Sequence, residues 1–179
     1  HTFMKIRAYL QLTKACNLQC KMCDFWKNKN ENLSKRHFIR LIDTFVAHGM
    51  KGITFWGWEP FLCPDIYDLV RHSKEVGLKT EIITNGVLMN QEKMTEIIPY
   101  LDEIIFSIDS GTPFIHNTIR GGFPYVFEKA TSNLELVARL RDEIHPNLYI
   151  AIDTTIQKWN WKTFDSVLGL AKKYNTKIN

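Results

Sequence analysis

Three of the chain's four cysteines fall within eight residues, CNLQCKMC, from Cys16 to Cys23. Their spacing is C-x3-C-x2-C, and three thiolates on one loop can converge on a single metal centre, as soft sulfur ligands do for zinc or for an iron-sulfur cluster. A closed four-thiolate site needs one more ligand, and the only other thiol is Cys63. Two arrangements are open at this point. One is a structural zinc knot completed by Cys63 or a histidine; the other is a [4Fe-4S] cube on three cysteines with one iron left free. Cys63 itself reads as a small buried residue. In a reducing setting, clustered cysteines point to metal or redox chemistry rather than to disulfides.

The loop must be held by something, and the chain supplies a regular frame. Short apolar runs rich in branched residues begin at Ile6 to Leu12 and recur at 52–56, 78–84, 103–109 and 148–156. Such runs suit strands buried on both faces of a parallel sheet. Between them lie helix-period segments: one capped by Ser34 and ended by Gly49, one over 64–76, one over 91–98 stopped by Pro99, one over 126–141, and one from Asn160. The last is expected to bury Trp161, Phe164, Val167, Leu168 and Ala171. The closing TKIN opens a sixth strand. Alternation of strand and helix implies right-handed crossovers and an α/β fold, a parallel-stranded partial (β/α)6 TIM-like barrel truncated at strand six. Residues 1–179 are expected to form one domain, incomplete at its C-terminal end. In such folds ligands lie at the carboxyl ends of the strands. The segments there are TKACNLQCKMC, WGWEP, TNG, SIDS and DTTIQ.

At this point the sequence resembles the radical S-adenosylmethionine superfamily, in its peptide-modifying and cofactor-biosynthesis branch. The cysteine motif in the loop after the first strand is that family's hallmark. WGWEP is similar to its G-G-E-P segment after strand two, ITNG to a frequent strand-three ending, and SIDS with HNTIRG to the strand-four region. The resemblance implies a [4Fe-4S] cluster on Cys16, Cys20 and Cys23, whose open iron is chelated by the amino and carboxylate groups of S-adenosylmethionine. It implies reductive cleavage of that molecule to methionine and a 5′-deoxyadenosyl radical, which abstracts hydrogen from a small-molecule or peptide substrate. It also implies an electron donor such as flavodoxin or ferredoxin. Gly57, Trp58, Glu59 and Pro60 would bring backbone acceptors to the methionine amino group. Thr84, Asn85, Ser107 and Asp109 would meet ribose and amino-acid polar groups, and Arg120 the methionine carboxylate. Met22 stands where the family has an aromatic residue near adenine, and its polarizable thioether can pack on a ring. Trp58 stands where the family prefers glycine, so a positive φ there would strain it.

Composition sets the other bounds. No apolar run approaches the roughly 20 residues that span a bilayer, so no membrane segment is expected. The formal charge of +4 is modest, with basic and acidic residues interspersed, which makes nucleic-acid binding unlikely. The opening HTFMKIRAYL lacks the layout of a secretory signal, so a cytoplasmic location is expected. The rival from another class is a non-enzymatic, zinc-stabilised interaction domain. Histidines 37, 48 and 72 fall on helices and receive no role, while His116, near Arg120, is a candidate substrate contact.

Overall fold

The computed structural model describes residues 6–27, 33–121 and 123–179. Six parallel strands form one sheet in chain order: β1 (Arg7–Gln11), β2 (Gly52–Trp56), β3 (Lys79–Thr84), β4 (Glu103–Ser107), β5 (Tyr149–Asp153) and β6 (Lys177–Ile178). The helices between them are α1 (Lys35–Ala47), α2 (Ile66–Glu75), α3 (Gln91–Ile97), α4 (Pro113–Arg120), α5 (Val126–Ile144) and α6 (Phe164–Lys173). Every expected strand is present, and the sheet is the open, curled sheet of a partial barrel. Among the described residues no helix is long and apolar enough to cross a membrane.

The period of two along each strand divides the sheet into two faces. Ile53, Phe55, Ile82, Ile104, Phe106 and Ile152 point outward and are sealed by Phe38, Ile42, Leu69, Val70, Val137 and Val167 of the helices. The alternate residues line the concave face. Tyr9 is 63% exposed there, because the sheet does not close on itself. On α6 the expected stripe is only half right. Val167 and Ala171 are buried, whereas Trp161 and Leu168 are exposed. Trp161 belongs to a 3-10 turn ahead of the helix, so its direction does not follow the helical period.

At the amino ends of the strands the concave face carries a charged layer. Arg7 reaches Glu81 on β3 at 2.5 Å and Glu103 on β4 at 3.0 Å, and Thr54 donates to Glu81 at 2.8 Å. Burial and the neighbouring Glu103 push the Glu81 carboxyl up to about 7. This end of the barrel serves stability. Arg7→Ala leaves two carboxylates facing each other and is expected to cost roughly 3 kcal/mol, read as a lower urea midpoint. Adding Glu81→Gln should return part of the loss.

Candidate metal centre

The cysteine loop leaves β1 and is stitched to the loop after β2. Leu12 N donates to Trp56 O at 3.1 Å, Glu59 N donates to Ala15 O at 3.1 Å, and Cys16 Sγ donates to the Trp58 carbonyl at 3.6 Å. Gly57 makes this approach possible. It has φ +130°, and a Cβ there would lie 2.9 Å from Thr13 O. Trp58 itself has no positive φ, so the expected strain at that position does not arise. The neighbouring glycine takes the turn. From the other side, the Asn85 side chain after β3 donates to Asn17 Oδ1 at 2.8 Å.

A cavity of about 140 Å³ opens between these loops at the carboxyl ends of the strands. Cys16, Cys20, Cys23, Met22, Gly57, Trp58, Asn85 and Arg120 border it, together with Leu18 and Trp56. The structure thus gathers the three thiols and five of the other candidate residues around one space. Glu59, Pro60, Thr84, Ser107 and Asp109 do not border it. Glu59, Thr84 and Asp109 are buried beneath it instead, with hydrogen-bonding work of their own.

Glu59 is fully buried and braces the β2 and β3 loops. Its Oε1 accepts from Phe61 N at 3.1 Å and from the Thr84 hydroxyl at 2.8 Å, and its Oε2 accepts from Asn85 N at 2.8 Å. Burial pushes its carboxyl up to about 7, against the pull of these three donors. The sign for stability follows. Below pH 4.5 the group is neutral in the folded and unfolded chain alike; between 4.5 and about 7 only the unfolded chain ionises. Folding stability from this group is therefore lost as pH rises through that window, by about 3 kcal/mol in all. Denaturation of the wild type and Glu59→Gln across the window should show their stability difference moving against the wild type by that amount.

The segment after β4, to which the sequence pattern assigns no helix, contains α4. Thr112 and Pro113 start it and Gly121 ends it. Its buried face carries His116, Ile119 and Arg120. His116 Nδ1 accepts from Asp109 N at 3.2 Å, and its ring packs edge-on against Phe127 at 5.7 Å. Burial holds this imidazole neutral, down at about 3, and its complete burial makes it a packing residue rather than a substrate contact. The last turn of α4 docks on the cysteine loop. Lys21 N donates to Ile119 O at 2.8 Å, and Gly121 packs against the carbonyl of Gln19.

Burial pushes the Cys16 thiol up to about 11. Burial also raises Cys20, with the positive charge of Arg120 pulling the other way. Among the described residues, and apart from these thiols, Arg120 is the only ionisable side chain bordering the cavity, where its positive charge suits thiolates and a cluster. The donor set therefore fits an iron-sulfur cluster: three soft ligands from one loop around a shared space. Among the described residues, no three His, Cys, Asp or Glu side chains close on a single ion. Cys63 lies in the hydrophobic core at 3% exposure and no histidine among the described residues borders the cavity, so those residues do not assemble the ligand set of a zinc knot.

The radical SAM superfamily model matches residues 10–171. The chain is 32% identical over 176 residues to an S-adenosylmethionine-dependent nucleotide dehydratase of Lacinutrix mariniflava, covering 93% of this chain and 36% of that protein. It is 35% identical over 177 residues to the protein of the same name from Flammeovirga pacifica, covering 94% and 55%. The chain thus spans between about a third and a little over half the length of these relatives. In fold it is similar to Streptococcus suis SuiB bound to S-adenosylmethionine, with TM-score 0.80 over 96% of this chain and 39% of SuiB, at 16% identity. The chain belongs to the radical SAM superfamily, whose cofactors are a [4Fe-4S] cluster and S-adenosylmethionine.

Proposed function

We propose that this chain is the core domain of an enzyme that holds a [4Fe-4S] cluster on Cys16, Cys20 and Cys23 and generates a radical on bound S-adenosylmethionine. The carrying observation is the single cavity, at the carboxyl ends of the strands, that all three thiols border. Held by Cys16, Cys20 and Cys23, the cluster would supply the electron that cleaves a sulfur-carbon bond of S-adenosylmethionine, giving methionine and a 5′-deoxyadenosyl radical able to take hydrogen from substrate.

The chain's own residues bind, orient and exclude water. Gly57, Trp58 and Asn85 form one wall of the cavity, Met22 stands at its rim, and Leu18 and Trp56 make the space apolar. Glu59 and Thr84 act one layer below, fixing the loops that carry that wall. Pro60 starts the short 3-10 turn that Glu59 caps. Ser107, half-buried at the end of β4, is placed with the polar groups that would meet the cofactor, although it does not border the cavity itself.

The substrate is a small molecule or a peptide. The relatives' names point to nucleotides, and SuiB has been solved with its precursor peptide SuiA. The electron comes from a flavodoxin or ferredoxin, in a reducing cytoplasm. Anaerobic reconstitution with iron and sulfide tests the centre. A brown chain holding about four irons supports it; a colourless chain that keeps one zinc and takes up no iron contradicts it.

A further inference from the structure

In the buried pair of Asp109 and Arg120, the arginine borders the cavity that Cys16, Cys20 and Cys23 share. Arg120 Nε is 2.7 Å from Asp109 Oδ2, with side-chain exposures of 10% and 0%. Asp109 is held from three directions. Its Oδ1 accepts from Thr155 N at 3.0 Å, its carbonyl accepts from the Asn160 side chain at 2.8 Å, and its own N–H donates to His116 at 3.2 Å. The contact is an ion pair by distance rather than an aligned hydrogen bond, and the carboxylate's charge holds the guanidinium close. Arg120 also sits one residue from Gly121, where α4 docks on the cysteine loop. Its guanidinium then borders the cavity that Cys16, Cys20 and Cys23 also border.

We infer that Arg120, paired with Asp109, is a positioning residue that places a positive charge in the cavity bordered by Cys16, Cys20 and Cys23 and thereby sets the reduction potential of the cluster. Hydrogen bonds to cluster sulfurs and net charge around them are the protein's main levers on that potential. Adding an electron makes the cluster more negative, so a nearby cation favours the reduced form. The neighbouring carboxylate opposes it. Arg120 and Asp109 are therefore opposed controls on one centre, and Asp109 also holds the cation in place.

This inference rests on the cluster reading, and its test separates the two. The reconstituted wild-type chain is first assayed for iron, sulfide and the signal of the reduced cluster by electron paramagnetic resonance. If the wild type holds no cluster, the proposed function fails. With a loaded wild type, redox titration monitored by the same signal is repeated on Arg120→Gln and Asp109→Asn. Arg120→Gln should lower the reduced-to-oxidised ratio at a fixed potential about tenfold, equivalent to about 59 mV for one electron. Asp109→Asn keeps an oxygen for Thr155 N and should move the potential the opposite way. A loosened loop would move both variants in one direction. An unshifted or positive Arg120→Gln overturns the inference. Should that variant fail to load, an unshifted or negative Asp109→Asn overturns it.

Discussion

Cys20→Ala is expected to leave the chain folded, to abolish the bound iron, and to reduce formation of 5′-deoxyadenosine below detection. The sulfur borders the cavity and supports no part of the hydrophobic core, so its loss removes a ligand rather than a packing group. No substitute thiol is at hand, because Cys63 is enclosed by the core. Two thiolates on a single loop cannot hold a cube that requires three. Cys63→Ala is the control. It empties a small core volume, at a cost of about 1 kcal/mol, and should leave the iron content unchanged. Iron analysis and far-ultraviolet circular dichroism on the two variants distinguish loss of ligand from loss of fold.

The second large effect is expected at Gly121, where α4 ends. Its backbone has φ +60° and ψ 166°, a region open essentially to glycine alone. A Cβ added there would lie 2.3 Å from the carbonyl oxygen of Gln19, inside the cysteine loop. Backbone cannot yield as a flexible side chain can. Gly121→Ala therefore combines a strain of about 1–3 kcal/mol with displacement of the loop that carries Cys16, Cys20 and Cys23. Its expected signature is a reduced iron content together with a lower thermal midpoint. Cys20→Ala should change only the first of these.

The strands were legible because each is a short apolar run buried on both sides, a pattern that needs no knowledge of its neighbours. The gathering of the three cysteines was legible for a related reason: all three come from one loop, so spacing in sequence is nearly spacing in space. Helix α4 was not. It is only eight residues long, and two of the three residues on its buried face are the polar His116 and Arg120, so no apolar stripe long enough to mark a helix stands out. Its Thr-Pro start and glycine stop were the available signals. Glu59 was placed correctly at the β2 loop, but its carboxylate bonds to Thr84 and Asn85 depend on strand pairing that no local pattern encodes. The same holds for Asp109 and Arg120, which sequence treats as two ligand contacts and the fold brings together as an ion pair. Trp161 shows the reverse error, a residue counted on a helical stripe although the helix begins after it.

Reductive cleavage of S-adenosylmethionine is the most direct test of the central claim. The reconstituted chain, loaded with about four irons, is incubated anaerobically with dithionite and S-adenosylmethionine, and the products are separated by chromatography. The account predicts 5′-deoxyadenosine and methionine in equal amounts, absent from Cys20→Ala. Intact S-adenosylmethionine beside a fully loaded, reducible cluster would contradict it.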